Sequence, residues 1–257
     1  MQDKDLPIQS IGTSYRIIRT LVNENGATLA TLAHQLNRPK STLHGHLKSL
    51  KRVGLVIQNG DEYRVSMWIL KMGMQVRNQL QLFQYAKPQV EKIAERSGEK
   101  SSIMVEEQGL GVTLYTAGHV SELEYQAYAG LHTPLHVTAG GKAILSELSD
   151  SRILEIINNH GLSGKTEYTL TDSESLLESL DRIRDQGYAL SVEENLNGMV
   201  GCAVAITDAE GNPRGAIVSY GPLERFGVDR GERYEVESAI VNSLYEAVNI
   251  IEVNLNL

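Results

Sequence analysis

One cysteine in 257 residues, Cys202, leaves no partner for an internal disulfide and no thiolate set for a zinc site. Long hydrophobic runs are missing too: no uninterrupted apolar stretch approaches the roughly 20 residues that a membrane helix needs. The opening MQDKDLPIQS has neither the apolar centre nor the cleavage pattern of a secretion signal, so the expectation is a soluble cytoplasmic protein. A reactive constellation is also lacking. His132 and His136 have the spacing of a helical metal pair, but Pro134 between them breaks such a helix, and no Cys or Asp cluster completes a site. Glu193 and Glu194 are adjacent on a strand and so point to opposite faces, which spoils them as an acid and base pair. Cys202 sits among Gly, Ala and Val with no base beside it and reads as a small buried apolar residue. No catalytic residue, metal ligand or cofactor is expected.

What is present is charge of two signs in two places. The net charge of −8 taken whole argues against nucleic acid, yet residues 1–77 hold 11 Lys+Arg against 5 Asp+Glu, or +6, while residues 78–257 hold 13 against 27, or −14. Only the first part needs to meet phosphates, and the second would repel them. Acidic residues are absent from Arg38 to Arg52, where Arg38, Lys40, Lys48, Lys51 and Arg52 are cationic. On a helical wheel Leu43, Leu47 and Leu50 form one stripe, Ser41, Gly45, Lys48 and Arg52 lie opposite, and Thr42 and His44 flank them. Alone, the stretch suits a solvated surface helix as well as a DNA major groove. Its neighbours decide.

Ser10 is expected to cap a first helix with Ile11, Tyr15, Ile18, Leu21 and Val22 inward. A second helix follows Thr28 with Leu29, Leu32, Ala33 and Leu36 inward, and Pro39 opens the third from its first turn. Three short helices with a basic third make a helix-turn-helix. Asn59-Gly60 then reads as a type I′ hairpin turn between Leu55–Gln58 and Asp61–Val65, which after a recognition helix is a wing. Arg38, Lys40, Ser41, Thr42, His44, Lys48, Arg52, Asn59 and Arg64 are the candidate DNA contacts. Ser66 to about Tyr85 reads as a linker helix rich in methionine, suited either to core filling or to a dimer seam.

Farther on, Pro88–Arg96 reads as a helix, Ser101–Glu106, Gly111–Ala117 and Leu123–Ala129 as strands, and Thr133–Leu145 as a loop turning into a helix. The helix start offers backbone N–H groups to an anion. Its Gly-Gly-Lys is no P-loop, because His136 stands where the first glycine belongs and Ala143 follows Lys142. Asp150–Asn159 is helical, and Thr171-Asp172-Ser173-Glu174 is a capping box for a helix to Asp185. Tyr188–Val192, Val200–Thr207 and Gly215–Tyr220 read as strands, and a closing helix runs from about Arg233. The class is α+β.

PKSTLHGHLKSL, RVGLV and EYRVSMWILKMG resemble the winged helix of IclR-type transcription regulators. PLHVTAGGKAIL, IRDQGYALSVEENLNGMVGCAVAI and GAIVSYGP resemble their GAF-like effector domain, so the likeness covers essentially the whole chain. It implies a winged helix-turn-helix at 1–66, a linker helix at 67–85 and an effector domain of antiparallel sheet with flanking helices at 86–257. Partners implied are double-stranded operator DNA, a small-molecule effector and a second copy, as homodimer or dimer of dimers, with no membrane. Carried over by motif, effector contacts fall at Ala139, Gly140, Ser191, Gly201, Val218 and Tyr220. Two departures stand out. Gly45 replaces the arginine usual after the recognition-helix histidine, which shifts readout to Ser41, Thr42, His44 and Lys48. Ser191, Gly201, Val218 and Tyr220 depart from the oxoacid-binding pattern, which turns the expected ligand towards a sugar or sugar acid, with other small carboxylates behind. Rival classes are an enzyme joined to a DNA-binding head and an architectural DNA binder with an empty sensor.

Overall fold

The computed structural model describes residues 6–118, 127–228 and 238–256. Contacts divide the chain into two units, Met1–Arg77 and Asn78–Leu257.

The first unit runs α1 (Gln9–Asn23), β1 (Ala27–Thr28), α2 (Leu29–Gln35), α3 (Lys40–Arg52), β2 (Val56–Asn59), β3 (Glu62–Val65) and α4 (Trp68–Gln79), whose last two residues pass the boundary. Ile17, Leu21, Leu32, Leu43, Leu47, Leu50, Val56 and Tyr63 close one core from α1, α2, α3 and the small sheet β1-β3-β2. Helix α2 follows Thr28 as expected, and Thr28 caps it, its hydroxyl accepting from Thr31 N–H at 3.2 Å. Three expectations need correction. Helix α1 begins at Gln9 after Ile8 with no side-chain cap, so Ser10 lies inside it. Its core contact is Ile17 with Leu21, while Ile11, Tyr15 and Val22 are 62%, 51% and 60% exposed. Those three form a second apolar stripe at the same helical period, which periodicity alone cannot tell from the first. Pro39 sits at the cap of α3, extended at φ −58 and ψ 137, one place before the helix.

The wing is shifted by one residue. Asn59 pairs with Glu62, so the two-residue loop is Gly60-Asp61 rather than Asn59-Gly60. Gly60 alone takes a positive φ, +61, the glycine-first arrangement of a type II′ turn.

In the second unit α5 (Gln81–Ser97) precedes a six-stranded antiparallel sheet of order β6-β5-β4-β9-β8-β7. Its strands are β4 (Lys100–Glu107), β5 (Leu110–Ala117), β6 (His132–Pro134), β7 (Ala189–Val192), β8 (Met199–Thr207) and β9 (Pro213–Pro222). Between β6 and β7 come α6 (Ala139–Ser146), α7 (Asp150–His160) and α8 (Ser173–Gln186), and α9 (Ser238–Leu255) closes the chain. Alternation along β9 sorts the layers: Ile217 packs with α5 and α9, whereas Ala216, Val218 and Tyr220 pack with α6, α7 and α8.

Here too some boundaries moved. Pro88 lies inside α5, not at its start, held by buried Leu82, Phe83 and Ala86 before it and Val90, Ile93 and Ala94 after it. The expected linker helix is interrupted at Leu80, which is extended at φ −74 and ψ 117. Asp172, not Thr171, caps α8, accepting from Ser175 N–H at 2.8 Å. Strand β6 takes up the start of the stretch that reads as loop, pairing with β5 at Leu110–Val112. Of the expected strand Leu123–Ala129, residues 123–126 lie outside the described residues, as does the expected start of the last helix at Arg233; Ala127 and Tyr128 have no regular structure.

Candidate functional site

Helix α3 keeps Leu43, Leu47 and Leu50 buried and turns Ser41, Thr42, His44, Gly45, Lys48 and Arg52 to solvent, with Arg38 and Lys40 exposed at its start. The core thus fixes which side faces outward. Asn59 is exposed at the wing tip, and Arg64 is exposed but shares its charge with Glu62 at 3.1 Å. Two side chains have duties that spacing does not reveal. Lys51 Nζ donates to Gln58 Oε1 at 2.6 Å and lies 6.0 Å from the Tyr63 ring centroid, fastening the helix to the wing. His46 Nδ1 and Ser14 Oγ share a hydrogen bond of 2.8 Å that ties α3 to α1.

In the second unit a cavity of about 540 Å³, mouth included, opens between the first turn of α6 and the sheet. Ala139, Gly140, Ser191, Gly201, Val218 and Tyr220 all line it, although they come from α6, β7, β8 and β9. Register explains the convergence: Ser191 pairs with Gly201 and Gly201 with Tyr220, so the three form one row across the sheet. Motif reasoning missed Ser102, Met104, Thr113, Thr138, Asn195 and Leu196, which line it as well. Ser102 and Met104 alternate on β4, so tracing strand faces outward from Val218, the partner of Ser102, finds them.

The polar groups of the wall are partly committed. Thr138 caps α6, accepting from Gly141 N–H at 3.0 Å, and Ser191 Oγ donates to Val137 O at 3.1 Å, leaving its lone pairs to the cavity. Among the described residues the lining holds no charged side chain, so the first N–H groups of α6, next to Ala139 and Gly140, are the attraction they offer an anion. The double glycine has two separate reasons. A Cβ on Gly141 would stand 2.1 Å from the backbone oxygen of Leu135, and one on Gly140 would stand 2.7 Å from Val218 Cγ2.

Residues weighed for chemistry have structural posts. Lys142 Nζ donates to Glu194 Oε1 at 2.5 Å in a buried pair, and Glu193 Oε1 accepts from Gly198 N–H at 2.8 Å. Burial pushes the Cys202 thiol up to about 12. His132 is exposed and bonded to Gly130 O, whereas His136 is buried, its Nε2 3.2 Å from Ser163 O. Burial holds its pKa below the ordinary histidine value, with the charges of Lys142 and Lys165 acting the same way and the Ser163 bond opposing them. Among the described residues no helix is long and apolar enough to cross a membrane.

Residues 14–60 match the IclR helix-turn-helix domain, and residues 74–243 match the C-terminal domain of bacterial IclR transcriptional regulators. A probable HTH-type transcriptional regulator ArcR from Halobacterium salinarum is 27% identical, the match covering 96% of this chain and 94% of that protein. The transcriptional repressor IclR of Escherichia coli is also 27% identical, over 87% and 83% of the two chains. Among solved structures, the Thermotoga maritima IclR superposes with a TM-score of 0.79 at 23% identity, covering 96% of this chain and 99% of that one. An IclR homologue from Microbacterium hydrocarbonoxydans, solved with 4-hydroxybenzoate, has a TM-score of 0.79 at 22% identity, covering 96% and 98%. These relatives are regulators, not enzymes, so the rival of an enzyme tethered to a DNA-binding head falls. A basic helix-turn-helix and a cavity built where the family's effector motifs meet place this chain in the IclR family of DNA-binding transcriptional regulators, with an effector domain at its C-terminal end.

Proposed function

We propose that this regulator controls catabolic genes in the cytoplasm, gripping a pseudo-palindromic operator with α3 of two subunits and releasing or re-spacing them when a small carboxylic acid fills the cavity. The observation that carries the reading is the convergence of all six motif-derived positions on one cavity. Ser41, Thr42, His44 and Lys48 read base edges, while Arg38, Lys40, Arg52, Asn59 and Arg64 serve phosphates from the helix ends and the wing. Residues 1–66 are the reading head, α4 the link and the remainder the sensor.

Two subunits are favoured by apolar surface. Along and beside α4, Met67, Trp68, Leu70, Met72, Met74 and Val76 are all exposed, and α1 shows Ile11, Tyr15 and Val22. A symmetric second copy covers such faces and sets half-sites about one helical turn apart. A dimer of dimers extends the same scheme.

For the ligand, the α6 N-terminus suits a carboxylate, and Ser102, Thr113, Ser191 and Asn195 suit hydroxyls, which supports a sugar acid. A second reading, a hydroxylated aromatic acid, is favoured by the wall of Met104, Leu196, Met199 and Val218 and by the 4-hydroxybenzoate held by the Microbacterium relative. The test is calorimetry of the full chain against sugar acids, aromatic acids and neutral sugars, with footprinting on a duplex selected from a random pool. Binding of one acid class with an altered footprint is expected. Heat from no acid, with an unaltered footprint, would return the chain to the architectural class.

A further inference from the structure

The segment joining β7 to β8 borders the cavity and is internally stiff. Glu193 takes a left-handed conformation, φ +58, its N–H donates to Met199 O at 2.7 Å, and its Oε1 accepts from Gly198 N–H at 2.8 Å. Residues 193–199 therefore stand or move as one piece. Asn195, Leu196 and Met199 of that piece form part of the cavity wall.

The same piece is gripped from elsewhere in the unit. Lys142 Nζ donates to Glu194 Oε1, the two side chains being only 3% and 11% exposed. Thr169 Oγ1 donates to Glu194 O at 2.6 Å, and Thr166 Oγ1 donates to Glu193 O at 2.7 Å. Lys142 belongs to α6, whose first residues Ala139 and Gly140 line the cavity directly. One short helix thus meets the cavity at its first turn and holds the cavity's wall one residue after the double glycine. The grip is also incomplete, for Glu194 Oε2 is buried without a hydrogen-bond partner among the described residues. An unpaired buried carboxylate oxygen disfavours the state that buries it. A part meant only to brace would satisfy both oxygens; one oxygen held and one spare suits a part that opens.

We infer that residues 193–199 are a lid on the cavity and that Lys142, acting through Glu194, is its latch. Lys142 is then a positioning residue that touches no effector. A ligand pressing on the first turn of α6 shifts the latch with the helix, so occupancy and lid closure are linked by one rigid element. This rests on the cavity being the effector site, but the latch itself can be tested with no effector added, which separates failure of the one from failure of the other.

The experiment is hydrogen–deuterium exchange of the full chain read by mass spectrometry. Lys142→Met should speed exchange in peptides spanning 193–199 by about tenfold or more while leaving β9 and the later half of β8 at wild-type rates. Acceleration shared by the whole C-terminal unit, or none in that segment, overturns the latch. If Lys142→Met does not fold, Thr169→Val decides, since it removes the hydroxyl that donates to Glu194 O and that also accepts from the N–H groups of Lys165 and Thr166, each at 3.0 Å: besides a local change at 165–169, acceleration of several-fold in 193–199 is expected, about what loss of the bond to Glu194 O brings, and wild-type rates in 193–199 overturn the proposal.

Discussion

The two units handle charge in opposite ways. On α3 the cations stand in water with hydrocarbon behind them, whereas in the C-terminal unit Lys142 is buried against Glu194 and the described residues of the cavity wall carry no charged side chain. The contrast follows from what each has to hold. A polyanion is captured by exposed cations that release its counterions, and burying them would forfeit that term. A small molecule must be desolvated, and there a few fixed dipoles and hydroxyls in a dry wall act more strongly than they would in water. The acidic remainder keeps the second unit from competing for the same phosphates.

The largest expected effect tests packing in the sensor. Gly141→Ala drives a methyl group into the backbone oxygen of Leu135 and should cost about 3 kcal/mol or more, read as a fall in the urea midpoint. A loss under about 1 kcal/mol would mean that the Leu135 turn yields and that this wall is softer than drawn. Next comes Tyr220→Phe, which removes one hydroxyl from the cavity wall. Effector affinity should fall by about tenfold with unliganded DNA affinity unchanged, as loss of one buried hydrogen bond implies. Loss of DNA binding itself would erase the division of labour. Lys48→Ala should then weaken duplex binding and lower the slope of log K against log salt by about 0.9 if Lys48 meets a phosphate, or relax preference at one base pair with the slope intact if it meets a base.

Smaller and of opposite sign, Gly45→Ala should stabilise the head by up to about 1 kcal/mol, because a Cβ there meets nothing within 4 Å and helix propensity improves. Thermal melting reads it. If affinity for DNA drops at the same time, Gly45 is there for close approach to the groove floor. The least effect concerns acid. His136 has a folded pKa below its unfolded 6.5, so the unfolded chain binds the proton more readily. Stability from this group is full above about 6.5 and declines as pH falls through that value towards the lower folded pKa. His136→Gln should flatten that decline relative to wild type in denaturant titrations at several pH values, and an unchanged slope would remove the histidine from the balance.

How far sequence carries depends on the kind of signal. Strong period and β-rich runs were legible: the α3 stripe of Leu43, Leu47 and Leu50, the helix after Thr28, and the strands at Val200–Thr207 and Gly215–Tyr220. Motif likeness brought six cavity residues together from four elements, which no local pattern could do. Where two answers share one period, as on α1, apolar spacing picked Ile11, Tyr15 and Val22, and tertiary contact chose Ile17 instead. Turn residues located the wing but not its register, because glycine at position 60 serves either a I′ or a II′ loop. Pro88 misled for a related reason: proline favours a helix start, yet burial on both sides carried α5 through it. The twin glutamates, read as pointing to opposite faces, do different things: Glu193 holds Gly198 five residues on, inside its own turn, whereas Glu194 holds Lys142 from 52 residues away, a contact with no local trace.

The lone sulfhydryl carries a practical bonus. With Cys202 walled off beneath the sheet and its acidity suppressed to a pKa of about 12, almost none of it is thiolate at neutral pH, so alkylating reagents and mild oxidants pass it by. Any cysteine grafted onto the outside would be the sole handle for a dye or spin label, and the pairing of subunits proposed above could be tested by labelling without first stripping the native residue.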